Sequence, residues 1–583
     1  MNILMALSQL EITGAEVYAT TIGNTLTNRG HNIHYVSDTL TKSHEGKFHK
    51  LNFNKRSIIH RLYHLIYLLF LIKKHNIQLV HAHSRASSWI CHIACKLSSI
   101  PMITTIHGYQ PVHWSRKVFY AIGDKALTIC EAVHEQLIHD LKIPPNYLQI
   151  SRNGIEIEKF SWQVAPNNKK PIISIIGRLT GEKGRVYYNL LNKHLNLEKY
   201  HIQLISSSTL KEPFSKISSK ISFLGYLEDI VPILAHSDLV IGSGRVAIES
   251  LLCGRPTLAI GEAGLVGLID ETNIDQAMIT NFGDIYSKTI INKNLSDIKN
   301  QIKKGLDNKY CLKSIRNQIK QNYNLYNIVN QVEKNYQTLY MEKLLKKTPI
   351  IMYHRFIQNN NEKGVHGTYL HVDMLEKHFK LLKWMGFESL TFEDLANIEF
   401  IRHLNIIKPV KRYIIITVDD GYEDNYHLLL PLLKKYNFKA IIYTVTGEKI
   451  NRWDTEVTTC PEIPIPLMTN KQLKTISNSG YIEIGGHTLT HPRLNTLNFE
   501  QQQYEIEKNK IYLEALLDKK LTSFAYPYGT YNQDSENIIK EVGYKFAVIT
   551  NEQSLNTNIN FYQIPRIAIF PRTTIFGLWR KLH

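Results

Sequence analysis

Apolar residues in this chain gather into short runs separated by longer stretches with helical spacing. Runs at 3–7, 33–36, 79–81, 102–106 and 126–129 predict strands, and the amphipathic stretches between them predict helices. A second cycle opens at 171–177 (Pro-Ile-Ile-Ser-Ile-Ile-Gly) and runs through 202–205, 221–224, 239–241 and 257–260. A helical segment from about 314 to 345 closes it. The pattern then restarts at 350–353, 413–418, 440–445, 482–484, 523–525 and 546–549. Such alternation is the signature of parallel α/β layers. Two successive doubly wound units imply a cleft between them where a ligand sits. The short boundary Lys346-Lys-Thr-Pro349 separates the third cycle. The expected division is 1–168, 169–345 and 346–583.

At 583 residues the chain is too long for one core, and its 43% hydrophobic and 21% charged residues are those of an ordinary globular protein. A net charge of +18 is compatible with a Lys-rich solvated surface, an anionic membrane or a phosphate-bearing substrate. No nucleic-acid recognition motif accompanies it. The six cysteines, Cys91, Cys95, Cys130, Cys253, Cys311 and Cys460, form no pairing framework, which suits a reducing compartment. Cys91-His-Ile-Ala-Cys95 lies in an apolar helix-like stretch without a second ligand pair and reads as core packing. The N-terminus lacks a basic region and a cleavage site, so a cytoplasmic location is expected. No run is long enough for a membrane span. The apolar stretch 65–72, flanked by Lys55, Arg56, Arg61, Lys73 and Lys74, fits either a helix lying on an anionic bilayer or a core helix with solvated ends.

Candidate chemistry falls at strand ends. Gly14, in Thr13-Gly-Ala-Glu16, follows the first strand, where a glycine lets a phosphate approach the backbone and a helix N-terminus. His107-Gly108 ends another strand and places an imidazole in the expected cleft. Gly177-Arg178-Leu179 and Lys183-Gly184 put two cations in one glycine-rich loop, suited to a diphosphate leaving group. Glu249, before Cys253-Gly-Arg-Pro256, places a carboxylate at a helix start, where it can accept two ribose hydroxyls. With Asn153-Gly154, this ordered set over residues 1–345 resembles glycosyltransferase family 4 and its GT-B fold of two facing Rossmann domains. The resemblance implies a nucleotide-diphosphate sugar donor and retention of anomeric configuration. It implies that Arg178 and Lys183 hold the diphosphate, Glu249 the ribose, and that His107 lies near the transferred sugar. The family's first glutamate, eight residues before the second, is replaced by Ile241, followed by Gly242-Ser-Gly244.

In the third cycle, Asp419-Asp420-Gly421 ends an apolar strand, and His487-Thr-Leu-Thr-His491 follows another. Two histidines four apart can face the same way on one helical turn. Two imidazoles and one carboxylate make a three-ligand metal set, leaving Asp419 free to act as base toward an attacking water. Phe524-Ala-Tyr-Pro-Tyr528-Gly529 adds a turn whose backbone N–H can face a developing oxyanion. This trio, with Ile351-Met-Tyr-His354 and the stretch 382–390, resembles the polysaccharide deacetylase (carbohydrate esterase family 4, NodB-like) family over 347–583. The resemblance implies a distorted (β/α) barrel and removal of acetyl groups from sugars with a divalent metal, often zinc. Asp420, His487 and His491 would bind the metal, Asp419 would be the base and the Tyr528 amide would join the oxyanion site. The family's late Leu-x-His, source of its general acid, is replaced by Ile564-Pro-Arg566-Ile-Ala568. Arg566 is then placed to supply positive charge near Asp419, and the acid is unassigned, with His354 as one candidate. This variant pattern is similar to the branch that acts on poly-N-acetylglucosamine.

The expectation from the whole chain is a bifunctional enzyme of cell-surface glycan or lipopolysaccharide biosynthesis. It would transfer a sugar, such as an N-acetylhexosamine from UDP, to a glycolipid or polysaccharide acceptor and then remove the acetyl group. A peripheral position on the cytoplasmic face of the inner membrane would suit such an acceptor. The alternative is a deacetylase whose first half is an inactive, glycan-binding module.

Overall fold

A computed structural model of the chain describes residues 1–8, 14–55, 57–207, 212–287, 297–308, 313–397, 399, 412–550 and 559–583. Thr13 of the first glycine motif, Arg56 and Cys311 lie outside the described residues. The chain divides into two compact units, Met1–Leu339 and Tyr340–His583.

The first unit holds two parallel sheets. In the first, the strands run in the order Lys47–Lys50, Asn32–Ser37, Asn2–Ala6, Leu79–Ala82, Met102–Ile106, Lys125–Thr128, Leu148–Ile150. In the second the order is Ser222–Gly225, His201–Ile205, Ile172–Ile176, Leu239–Gly242, Thr257–Ile260, Leu265–Leu268, the last antiparallel. Helices cover both faces, which is why strands such as Met102–Ile106 and Thr257–Ile260 are buried at every position. Each sheet starts in its middle and grows outward both ways, so strand order reverses beside its first strand. Such a switch point opens a crevice at the carboxyl ends of the strands. Gly14 and His83 follow the two switch-point strands of the first sheet, and Gly177 and Ser243 those of the second.

The single helix expected over 314–345 is two helices, Lys313–Tyr323 and Leu325–Lys346. The break has a backbone cause. Ile155 donates its N–H to the Tyr323 carbonyl (2.8 Å) and accepts from Leu325 N–H (3.1 Å), so the main chain at Asn324 pairs with another segment instead of with its own helix. The second helix then returns to the first sheet. Glu333 accepts from Arg29 (2.9 Å) and pairs with His31 (2.7 Å), and the Tyr336 hydroxyl meets His81 Nδ1 at 2.5 Å. The hydrogen bond from His31, with Arg29, holds the Glu333 carboxyl down to about 2 against burial. A depressed carboxyl stabilises the fold above its unfolded value, and that contribution is lost as pH falls from about 5 toward 2. Glu333→Gln is therefore expected to lower the melting temperature at pH 7 and to flatten its fall between about pH 5 and pH 3, read by calorimetry.

Cys91 and Cys95 are buried on the helix Arg85–Ser98 and pack its inner face. The helix Ile58–Lys74 buries Leu68, Leu71 and Ile72, yet Ile58, Ile59, Leu62, Ile66 and Phe70 stand more than half exposed. Apolar residues thus occupy its outer face as well as its inner one. No helix among the described residues is long and apolar enough to cross a membrane.

The second unit is a distorted (β/α) barrel. Its parallel strands follow the path Phe546–Val548, Ser523–Ala525, Ile482–Gly486, Ala440–Thr444, Arg412–Val418, Ile350–Tyr353, Ile567–Ala568, with Phe387–Leu390 also paired to Arg412–Val418. The segment at 564–568 joins the ends of this path: Ile564 bridges Val548, and Ile567 pairs with Ile351. Ile416, Val418, Ile442, Ile484 and Phe524 are buried in its core. Side chains at the carboxyl ends of these strands face one rim, where Asp419, His487 and Tyr526 follow directly.

Candidate functional site

In the barrel, Asp419 and Asp420 leave the strand Arg412–Val418, and Asp420 turns the chain with a left-handed φ of 74°. His487 leaves the strand Ile482–Gly486. His487 and His491 do not share a helical turn, as their spacing suggested. They sit in a loop in which Thr488 and His491 are left-handed (φ 66° and 64°). The neighbouring helix Phe499–Leu517 shapes that loop. Glu505 accepts from the N–H groups of Leu489 and Thr490 (both 2.9 Å), and Asn509 Nδ2 donates to the carbonyls of Thr488 (2.7 Å) and Thr444 (2.9 Å). The loop brings both imidazoles onto one carboxylate oxygen: Asp420 Oδ1 lies 3.3 Å from His487 Nε2 and 3.3 Å from His491 Nε2.

These three buried side chains offer ligand atoms all within 4.8 Å of one another. Ligands about 2.0–2.1 Å from a common tetrahedral ion are separated by roughly 3.3 Å, so the donor set fits a divalent cation. His487 Nδ1 is 2.7 Å from the Ala525 carbonyl, which fixes Nδ1 as the donor and leaves Nε2 its lone pair. Burial, opposed by Asp420, lowers the His491 pKa and keeps the ring in its neutral, ligating form. Burial opposes the charge on Asp420 too, yet the His487 and His491 imidazoles beside it hold it well below the usual carboxylate range.

Arg566 is almost completely buried and grips Asp419 with both arms, Nη1 to Oδ1 at 2.6 Å and Nη2 to Oδ2 at 2.7 Å. Its Nη1 also donates to Thr417 Oγ1 (3.1 Å), and its Nε donates to the Ile549 carbonyl (3.2 Å). Burial alone would raise the Asp419 pKa, but the guanidinium overrides it and keeps Asp419 ionised. Tyr528 is left-handed (φ 56°), and its ring lies 4.6 Å from that of His491.

Other neighbours carry no sequence motif. The Trp453 ring lies tilted 4.4 Å from that of His491, and Arg493 lies 4.0 Å over the Tyr528 ring. Asp454 accepts from the Tyr422 hydroxyl (3.3 Å), and burial, then the Asp420 charge, pushes its carboxyl up to about 6. Nothing in the spacing of Trp453 or Asp454 separates them from ordinary loop residues.

In the first unit, Gly14 opens the helix Gly14–Asn28, and a Cβ added there would meet nothing within 4 Å. Glu16 of the same motif is buried and accepts from Thr41 N–H (2.6 Å) and Lys42 N–H (2.8 Å), so it anchors a loop. His107 follows the strand Met102–Ile106 and lies against Tyr18 (ring centroids 5.1 Å) and His83 (Nε2 to Nδ1, 3.4 Å). Burial lowers its pKa to about 4, so it is neutral. Together with Gly108, Arg85 and Arg116 it lines a cavity of about 140 Å³.

In the second sheet's loops, Lys183 pairs with Asp284 (2.9 Å) and Ser243 Oγ donates to the same oxygen (2.6 Å). Burial works against the Lys183 charge, but Asp284 outweighs it and raises the pKa. Arg178, half exposed, pairs with Glu262. Gly244 is left-handed (φ 55°), and a Cβ there would come within 2.6 Å of Asp284 Oδ2, so the turn admits only glycine. Ile241 is part of the strand Leu239–Gly242 and packs in the core, and the Gly-Ser-Gly turn that follows has Asp284 behind it. Glu249 is not at a helix start. It lies on the second turn of Arg245–Leu252, buried, with Arg245 Nε at 2.6 Å; burial raises its pKa and Arg245 opposes the rise.

Residues 12–159 match the family model described as Glycosyltransferase Family 4, and residues 407–547 match that described as Polysaccharide deacetylase. The chain is 29% identical over 225 residues to YxkH of Bacillus subtilis (strain 168), described as a polysaccharide deacetylase, spanning 39% of this chain and 72% of that protein. It is 28% identical over 200 residues to the poly-beta-1,6-N-acetyl-D-glucosamine N-deacetylase of Staphylococcus aureus (strain MRSA252), spanning 32% of this chain and 64% of that protein. The solved structure of a glycosyltransferase from Rickettsia africae aligns with 58% of this chain and 98% of its own, at 19% identity and a TM-score of 0.46. The chain thus carries a stretch similar to glycosyltransferase family 4 at residues 12–159 and a stretch similar to polysaccharide deacetylases at 407–547.

Proposed function

We propose that this chain is a two-step glycan-modifying enzyme that transfers a sugar from a nucleotide-diphosphate donor and hydrolyses an N-acetyl group on the product. The observation that carries the reading is the convergence of Asp420, His487 and His491 beside an ionised, Arg566-clamped Asp419. Asp420, His487 and His491 would hold the metal, for which zinc suits the N/O donor set. Bound there, such an ion supplies Lewis acidity toward the acetyl carbonyl. Asp419 takes the proton of the attacking water, Arg566 holds Asp419 in place, and the Tyr528 N–H faces the developing oxyanion. The amide C–N bond breaks, acetate leaves, and the nitrogen gains a proton to become a free amine. Asp454 and His354 are the site's candidates for supplying it.

In the first half, Lys183 and Arg178 would trade their carboxylate partners for the donor diphosphate, Glu249 would face the ribose, and His107 the transferred sugar. UDP-N-acetylhexosamine is the donor class that makes the two halves sequential, because its product carries the acetyl group the barrel removes. A tethered second site raises the effective concentration of that product. The division 1–168, 169–345 and 346–583 describes acceptor-side, donor-side and deacetylase domains in this scheme.

The test is incubation of the full chain with UDP-N-acetylhexosamine and a glycolipid acceptor. The product should first gain one hexosamine and then lose the mass of one acetyl group. A product that never gains the sugar, while preformed N-acetylated glycan is still deacetylated, would instead support the second reading, in which the first half only holds a glycan. The loss of the first glutamate and the carboxylate partners on both cations favour that alternative. Lys183→Ala is expected to raise the donor KM by about tenfold or more with deacetylation of preformed glycan unchanged, because a charge-assisted phosphate contact contributes about 1.5–3 kcal/mol.

A glycolipid acceptor places the enzyme at the periphery of a cytoplasmic membrane face. The exposed row Ile58, Leu62, Ile66 and Phe70, with Lys55, Arg61, Lys73 and Lys74 around it, supports that placement. Flotation with anionic liposomes should recover the protein and should weaken as salt rises. Leu62→Glu combined with Ile66→Glu should abolish it at any salt.

A further inference from the structure

Three imidazoles from separate segments of the first unit meet at the edge of its first sheet, none of them assigned above to either reaction. His34 and His49 lie on neighbouring parallel strands, Asn32–Ser37 and Lys47–Lys50, whose register sets Val36 opposite His49. His75 caps the helix Ile58–Lys74, its N–H donating to the Leu71 carbonyl. The His34 and His49 rings stack at 5.3 Å, His75 lies 4.5 Å from His34 and 5.1 Å from His49, and one ring nitrogen of each falls within 4.8 Å of the others. His34 Nδ1 and His49 Nε2 are 3.0 Å apart.

We propose that His34, His49 and His75 form a second metal site, separate from the barrel's, that takes a borderline divalent transition ion such as zinc. The donor set decides the ion class. Three imidazoles without a carboxylate suit zinc or its neighbours and offer nothing to calcium or magnesium, which take oxygen ligands. The surrounding charges point the same way. Lys47 and Lys74 face the cluster and oppose any cation that is held by charge alone, so binding must come from the imidazole lone pairs. The 3.0 Å between His34 Nδ1 and His49 Nε2 is already close to the spacing of two ligands on one tetrahedral ion. Three protein ligands leave a fourth position for water or another small ligand.

The site also has a place in the fold. Among the described residues Lys47–Lys50 is the outermost strand of its sheet, paired on one side, and it is largely exposed. A metal bound at the cluster would tie that edge strand and its neighbour to the end of the helix Ile58–Lys74. Binding to the folded state alone stabilises it by mass action.

The experiment uses the full chain, stripped with chelator, reloaded with zinc and desalted, with metal counted by mass spectrometry. The intact protein should retain about two zinc ions, and His75→Gln, at one of the two partly exposed members, should retain about one. His487→Gln combined with His491→Gln removes the barrel site and should also leave about one, with zinc still raising the melting temperature and cobalt giving the visible absorption of a four-coordinate site. A count that His75→Gln does not change overturns the proposal, whatever happens at the barrel. So does a barrel-site double variant that binds no zinc and shows no zinc-dependent melting shift. Far-UV circular dichroism of the metal-free variants separates lost ligation from lost folding. His49→Gln is the second test if His75→Gln unfolds.

Discussion

Asp419→Asn should slow acetate release from an N-acetylated glycan by at least about 100-fold while the protein keeps its metal, since a positioned general base contributes about 10²–10⁴ in rate. The separation of roles is what gives this its force. Asp420 carries the contacts to His487 and His491, whereas Asp419 spends both oxygens on Arg566, so the substitution removes a base and spares the ligand set. The measurement pairs an acetate assay with metal analysis of the same sample. A loss below about tenfold would remove Asp419 from the base role, and a parallel loss of metal would make it a ligand. Asp420→Asn, by contrast, should cost activity and barrel-site metal together.

The second large effect concerns stability. Arg566→Met should destabilise the barrel by about 3–5 kcal/mol, because it leaves the buried Asp419 carboxylate without its counter-charge. The two partners are almost wholly buried, so solvent cannot take over the role of the guanidinium. The pH dependence has a definite sign. Asp419 is depressed in the folded protein, so its pairing stabilises the fold above the ordinary carboxylate pKa and is lost as pH falls through the folded value. Without Arg566 the carboxyl pKa rises, and the acid limb of the activity profile should move to higher pH. Arg566→Lys should recover only part of either property, since an ammonium cannot bind both oxygens in the plane of the carboxylate. The double variant Asp419→Asn with Arg566→Met should be more stable than Arg566→Met alone, because no unpaired charge remains. Denaturant unfolding of all four proteins closes the cycle, and additive effects would show that the pair is not coupled.

Much of this architecture could be read from residue patterns. Parallel strands buried on both faces are continuous apolar runs, so the strands at 102–106, 257–260 and 523–525 end where the pattern ends. Ligand-binding loops follow from the same rule, because open and barrel-closed parallel sheets both place them at the carboxyl ends of strands. Asp419, Asp420, His487 and Arg178 could therefore be located from the sequence. The helix break at Asn324 was not legible, because it depends on Ile155, far away in the chain, capturing two backbone groups. Glu249 was misplaced on its helix for a related reason: the Gly244 turn, not the residue's charge, decides where the helix begins.

The linear chain by itself determined which side chains are available and which strand each one follows, because alternation and strand-end motifs are local properties. Tertiary structure alone decided what they meet. Nothing local links Trp453 to His491, Asp284 to Lys183, or His75 to His34, and the meeting of Arg566 with Asp419 was expected only through the family resemblance. Those contacts arise from strand order and helix packing. They set which carboxylate stays charged, which imidazole keeps a free lone pair, and which cation already has a partner, because Coulomb energy and desolvation depend on distance in space and not on separation along the chain.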